Sequence, residues 1–144
     1  DDWHQVVNVH LNGSFYVSKA AANYFRNQQG GSHVHFTSTS GLVGNFGQAN
    51  YSAAKSGVHG FTMAVAQEVA KKGVTVNTIA PGYIATEMVM AVPEEVRNKI
   101  ISGIPVNRLG KPEEIAALVD YLASDLAGFM TGAELAINGG QHMM

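Results

Sequence analysis

Val74-Thr75-Val76-Asn77-Thr78-Ile79, followed by Ala80-Pro81-Gly82, is the stretch that sets the fold class. Almost every residue in it is β-branched, and it lacks the alternation of a strand with one wet face. It therefore predicts a strand covered on both sides, as in a parallel sheet between helical layers. Upstream, residues from about Ala49 to Lys72 have helical spacing and end in Lys71-Lys72-Gly73. Cations suit the negative end of a helix, and glycine tolerates the left-handed conformation that stops one. Before that helix, His33-Val34-His35-Phe36-Thr37-Ser38 is short and rich in strand formers, and the glycine-dotted stretch Ser40 to Gly47 after it predicts a loop. From Asp1 to about Gln28 the apolar residues Val6, Val7, Leu11, Phe15, Ala21, Ala22 and Phe25 recur at helical spacing, with Gly30-Gly31 as the stop.

Downstream, Pro93-Glu94-Glu95 and Pro112-Glu113-Glu114 each place proline in a first helical turn with acids at the positive end of the dipole, so two further helices start there. Glu134 to Asn138 predicts a short strand ended by Gly139-Gly140. The order helix, strand, helix, strand, helices, strand, with every connection long enough for a crossover, predicts an α/β layer fold with a parallel sheet. Three strands make that sheet narrow, which implies that further elements or a partner chain complete it.

The 144 residues suffice for one domain with a real core. Hydrophobic residues make up 46% and charged ones only 14%, below the roughly 25% usual in soluble domains, so something besides water is expected to cover part of the surface. Nine basic against eleven acidic residues give a net charge of −2 with no basic block, which argues against nucleic acid as a partner. The absence of cysteine excludes disulfides, thiolate metal sites and a cysteine nucleophile, and fits a reducing compartment. No apolar run approaches the roughly 18 residues of a membrane span, and Asp1-Asp2-Trp3-His4 does not open a signal peptide. These features predict a cytoplasmic protein without a membrane or nucleic-acid partner.

Tyr51-Ser52-Ala53-Ala54-Lys55 carries the densest chemical signal. A separation of four puts a phenol and an ammonium on one helix face, and a cation beside a phenol favours the phenolate, bringing such a group into use as an acid or base. An ordinary amphipathic helix can carry the same pair, so context decides. Thirteen residues before Tyr51, Ser38 ends a predicted strand, where open parallel sheets place ligand-handling groups.

Through Ser38, Tyr51 to Lys55, Val76-Asn77-Thr78-Ile79-Ala80-Pro81-Gly82 and the ending Asn138-Gly139-Gly140, the chain resembles the short-chain dehydrogenase/reductases over its whole length. The resemblance implies the C-terminal part of a Rossmann-like, doubly wound parallel sheet, three strands with flanking helices. It also implies that the dinucleotide phosphate-binding half of the domain is not in residues 1–144, and that the predicted strand at Val34 has an open edge. Tyr51 is then the proton donor to a substrate carbonyl. Lys55 supports it and holds the nicotinamide ribose, and Ser38 hydrogen-bonds the carbonyl oxygen. Pro81, Gly82, Ile84 and Thr86 match the segment that closes over the cofactor, expected to be NADP(H) rather than NAD(H). His10 stands where the family usually has asparagine in a proton relay, a role that imidazole can fill through water.

Asn45-Phe46-Gly47-Gln48-Ala49-Asn50-Tyr51, Gly57 to Ala64 and Pro81 to Thr86 resemble the family's 3-oxoacyl thioester reductases, those acting on acetoacetyl-CoA above all. Phe46, Gln48 and Tyr83 then become candidates for contact with the acyl thioester, and a homo-oligomer, tetramer or dimer, is implied. Two other readings remain: a non-catalytic assembly subunit or remnant, and a 3-hydroxyacyl-CoA dehydrogenase working in the oxidative direction. Gly41-Leu42-Val43-Gly44-Asn45-Phe46-Gly47 lacks the Gly-x-Gly core of a dinucleotide loop and reads as an active-site loop. His33 and His35 share one side of their strand, expected to be a strand surface, and with no third ligand in evidence no metal is predicted.

Overall fold

A computed structural model describes residues 2–143; Asp1, where the first predicted helix begins, lies outside them. The chain opens with α1 (Asp2–Val7), which passes through a π-helical turn (Asn8–Asn12) into α2 (Gly13–Gln28). It continues through β1 (Gly31–Phe36), α3 (Thr39–Val43), α4 (Ala49–Val69) and a 3-10 turn (Ala70–Lys72) to β2 (Val74–Pro81). After β2 come α5 (Glu87–Met90), α6 (Glu94–Ser102), α7 (Pro112–Ala123), a 3-10 turn (Asp125–Ala127) and β3 (Glu134–Ile137).

Among the described residues the strands form one parallel sheet in the order β1-β2-β3, with Gly31 opposite Val74, Phe36 opposite Ile79, and Thr78 opposite Glu134. The continuous β-branched run is the middle strand, buried from Val74 to Ala80. Its alternate side chains serve two cores. Val74 and Val76 pack with Ala66 and Val69 of α4, and with Phe25 of α2. On the other side of the pleat Ile79 packs with Leu122 of α7 and Ala127, joined by Val34 and Leu135. A strand with helices on both faces is the doubly wound arrangement, and β1 lies at one edge of it. α4 contributes Ala54, Val58, Thr62, Ala66 and Val69 to its buried stripe, the spacing of a single helix face.

Two expectations are corrected. The stretch Ser40 to Gly47 is not loop throughout, because α3 occupies Thr39–Val43. The serine before it caps the helix, Ser38 Oγ accepting a 3.2 Å hydrogen bond from Ser40 N. His33 and His35 do share one side of β1, but that side is covered by α2 and α4 rather than forming a surface, and both side chains are buried. His35 is held between Ser18 Oγ of α2 at 2.8 Å and Thr62 Oγ1 of α4 at 2.7 Å. Burial pushes its pKa down to about 4, with His33 beside it adding to the shift, so the imidazole is neutral at pH 7. Among the described residues no helix is long and apolar enough to cross a membrane.

Candidate active site

The carboxyl ends of the three strands open on one crevice, where parallel sheets carry their ligands. β1 delivers Ser38 in extended conformation, φ −167° and ψ 153°. α3 and the turn after it lead into α4, so Tyr51 falls in the first turn of that helix and Lys55 one turn deeper. α3 lies directly on α4: a Cβ on Gly41 would stand 2.9 Å from Lys55 Cβ, which is why no side chain fits there. The end of β2 supplies Pro81 and Gly82, and Gly82 N donates a 3.0 Å hydrogen bond to Ile137 O of β3. Asn138, after β3, folds the chain back over the crevice. It accepts from Gly140 N at 3.0 Å and donates to His142 O at 2.9 Å, across glycines at φ 65° and 87°.

The resulting cleft has a volume of about 570 Å³. His10, Ser38, Gln48, Tyr51, Pro81, Gly82 and Tyr83, all singled out from the sequence, line it together. His10 comes from the π-helical turn, a distortion common at functional sites. Its ring meets Tyr51 edge to face, with centroids 5.1 Å apart and an interplanar angle of 88°. Burial, and then the charge of Lys55, hold its pKa below the ordinary histidine value.

Lys55 is not part of the cleft wall. It sits behind Tyr51, with Nζ 5.6 Å from the centre of the phenol ring, and donates a 2.9 Å hydrogen bond to Phe36 O. Burial lowers its pKa from the ordinary lysine value. An ammonium has three donors, so this one bond leaves others to offer.

Three further candidates stand apart from the cleft wall. Phe46 is fully exposed. Ile84 bridges to Gly110 and lines a smaller neighbouring cavity. Thr86 caps α5, its hydroxyl accepting a 3.4 Å hydrogen bond from Val89 N. Conversely, the cleft includes Ser40, Asn45, Met88 and Gln141, which were not singled out beforehand. Asn45 had a signal, since it lies in the stretch Gly41 to Gly47 read as an active-site loop; its Nδ2 donates to Gln48 Oε1 at 3.1 Å, three residues on. Gln141 had none beyond the two glycines that turn it inward. Its Oε1 is buried without a hydrogen-bond partner among the described residues. Among those residues no group of three or more His, Cys, Asp or Glu side chains could hold a metal ion.

A phenol and a hydroxyl facing one cleft, with an ammonium behind the phenol, can polarise a carbonyl oxygen and give it a proton. A family model described as enoyl-(acyl carrier protein) reductase matches residues 1–142. The chain is 53% identical to an acetoacetyl-CoA reductase of Allochromatium vinosum over 141 residues, covering 98% of this chain and 57% of that protein. It is 54% identical to an acetoacetyl-CoA reductase of Shinella zoogloeoides over 142 residues, 98% and 59% of the two. With a 3-oxoacyl-acyl-carrier-protein reductase of Pseudomonas aeruginosa it shares 45% over 143 residues, 99% and 58%. It thus spans under three fifths of the length of these curated relatives. A match over nearly every residue, on a chain whose strand ends and first turn of α4 converge in this way, means that the chain belongs to the short-chain dehydrogenase/reductase family.

Proposed function

We propose that residues 1–144 are the carboxyl-terminal, catalytic part of a reductase of 3-oxoacyl thioesters, with acetoacetyl-CoA as the leading substrate. The observation that carries this reading is the meeting of Ser38, Tyr51 and His10 in one cleft with Lys55 behind the phenol. The substrate class is carried over from the printed names of relatives about half identical to this chain. The amino-terminal dinucleotide phosphate-binding half is proposed to precede these residues, in keeping with the 57–59% of the relatives' length that they span.

The residues present fit the nicotinamide end of a cofactor. Lys55 has donors to spare beside the cleft, and Gln141 Oε1 in the cleft wall is buried without a hydrogen-bond partner among the described residues. When bound, the nicotinamide supplies the hydride. The chain does the rest: Ser38 Oγ hydrogen-bonds the carbonyl oxygen, Tyr51 Oη gives that oxygen its proton, and Lys55 stabilises the phenolate left behind. His10, whose ring lies against that of Tyr51, is proposed to pass a replacement proton inward through water. Pro81, Gly82, Ile84 and Thr86 are proposed to close over the cofactor, and Gln48 and Tyr83, with Phe46 at the rim, to contact the acyl thioester. NADP(H) is proposed over NAD(H) because the reaction is a reduction.

A cytoplasmic homo-oligomer, dimer or tetramer, is proposed as the setting. The absence of cysteine and the exposed Tyr16, Val17 and Tyr24 along α2 support it. The test is Tyr51→Phe in a chain extended at its amino terminus by the segment that the relatives carry, with NADPH oxidation followed on acetoacetyl-CoA. A loss of at least a hundredfold is expected. Undiminished turnover overturns the role of Tyr51, and a wild-type chain with no turnover leaves the assembly-subunit reading standing.

A further inference from the structure

Glu134 opens β3 with its side chain only 6% exposed. One carboxyl oxygen accepts a hydrogen bond from Thr37 Oγ1, which also lies 3.2 Å from Ile79 O. The other oxygen lies 2.9 Å from His59 Nδ1, close enough for an ion pair but outside regular hydrogen-bond geometry. A buried carboxyl is costly unless paired, and well-packed apolar side chains of similar volume are often at least as stabilising, so stability alone explains this group poorly.

Its position supplies a better reason. Thr37 immediately precedes Ser38. His59 follows Lys55 by four residues and Tyr51 by eight, so the three stand one above another along α4. Lys55 binds Phe36 O. The end of β1 therefore meets the Tyr51-bearing helix at two consecutive residues, Phe36 through its hydrogen bond from Lys55 and Thr37 through Glu134, whose other oxygen lies against His59.

We propose that Thr37, Glu134 and His59 form a positioning network that sets the spacing of Ser38 from Tyr51, with Glu134 at its centre. This rests on the reductase reading above, in which those two groups act on one oxygen. Small misplacements of reacting groups cost large factors in rate, and a loss confined to the transition state lowers kcat rather than raising KM.

The test uses the amino-terminally extended chain with Glu134→Gln, Thr37→Val and the paired change Glu134→Leu/His59→Leu. The two single variants are expected to lower kcat on acetoacetyl-CoA about tenfold with KM within about twofold. The apolar pair should keep the wild-type urea midpoint yet show the same kcat deficit. It should also speed amide exchange at Thr37, whose N–H donates to Ile79 O at 2.8 Å, by about tenfold while Val76 is unchanged. Full kcat together with unchanged Thr37 exchange in the apolar pair overturns the proposal. Should that pair fail to fold, Glu134→Gln decides by the same two readouts. If the wild-type chain reduces no thioester, the reductase reading falls separately, and exchange at Thr37 alone decides whether the network holds the end of β1.

Discussion

Lys55 Nζ, four residues beyond Tyr51 on α4, donates its 2.9 Å hydrogen bond to the carbonyl oxygen of Phe36 at the end of β1. One side chain therefore joins the strand that presents Ser38 to the helix that presents Tyr51, while its charge lies 5.6 Å from the phenol ring centre. A neutral amine could keep the hydrogen bond but not the charge.

This sets a pH limit. Burial lowers the Lys55 pKa, so the ammonium is lost at a lower pH than for a free lysine. As pH rises, the phenol loses its neighbouring cation, and the turnover proposed above is expected to fall. Arginine stays charged throughout this range. In the extended chain, Lys55→Arg is therefore expected to move the alkaline limb of the kcat profile upward, although its wider head group lowers the maximum rate. Lys55→Met is expected to cost at least a hundredfold in kcat below that limit, and less above it, where the wild-type amine is neutral as well. Both follow from pH profiles of NADPH oxidation.

Gly82 has no room for a side chain. A Cβ there would stand 2.8 Å from Asn138 Cβ and 2.9 Å from Asn138 Cα, and the latter belongs to backbone that cannot swing aside. Gly82→Ala is expected to lower stability by about 1–3 kcal/mol, the usual range for overpacking, measured by urea unfolding. It should also displace the turn that carries Gln141 into the cleft, raising KM for the thioester.

Legibility from sequence followed how local each signal was. The run Val74 to Ile79 could be read as a central strand because burial on both faces suppresses alternation within the run itself. Ser38, Tyr51 and Lys55 could be placed together because a strand end and a four-residue helical spacing bring them there. α3 escaped notice because its five residues nucleate on the Ser38 cap, among glycines that look like loop signals. The burial of His33 and His35 depends on which helices cover β1, a tertiary matter. The partners of His35, Ser18 and Thr62, lie 17 and 27 residues from it. Gln141 enters the cleft only because Asn138 and two left-handed glycines turn the chain back.

His35 makes folding sensitive to acid. Its pKa is about 4 in the folded chain against about 6.5 unfolded. Between those values the unfolded chain binds a proton that the folded chain does not, so stability rises with pH across the window. Stability is complete above about pH 6.5 and declines as pH falls toward 4, by on the order of 2–3 kcal/mol. The lowered pKa of His33 acts in the same direction. His35→Gln is expected to flatten this dependence, which urea unfolding at pH 7 and pH 5 will reveal through a smaller difference between the two midpoints.

Ser38 has two duties that a substitution can separate. Its Oγ caps α3 by accepting from Ser40 N, and the same side chain lines the cleft beside Tyr51. Ser38→Ala removes both. The lost cap is expected to cost about 1 kcal/mol, and the lost hydrogen bond to a developing oxyanion about 100- to 1000-fold in kcat. Asparagine caps helices about as well as serine but presents a bulkier amide in place of the hydroxyl. In Ser38→Asn, therefore, the urea midpoint should return to the wild-type value while kcat stays as low as in Ser38→Ala. If activity returned along with stability, the serine would matter for holding α3 in place and not for the carbonyl oxygen.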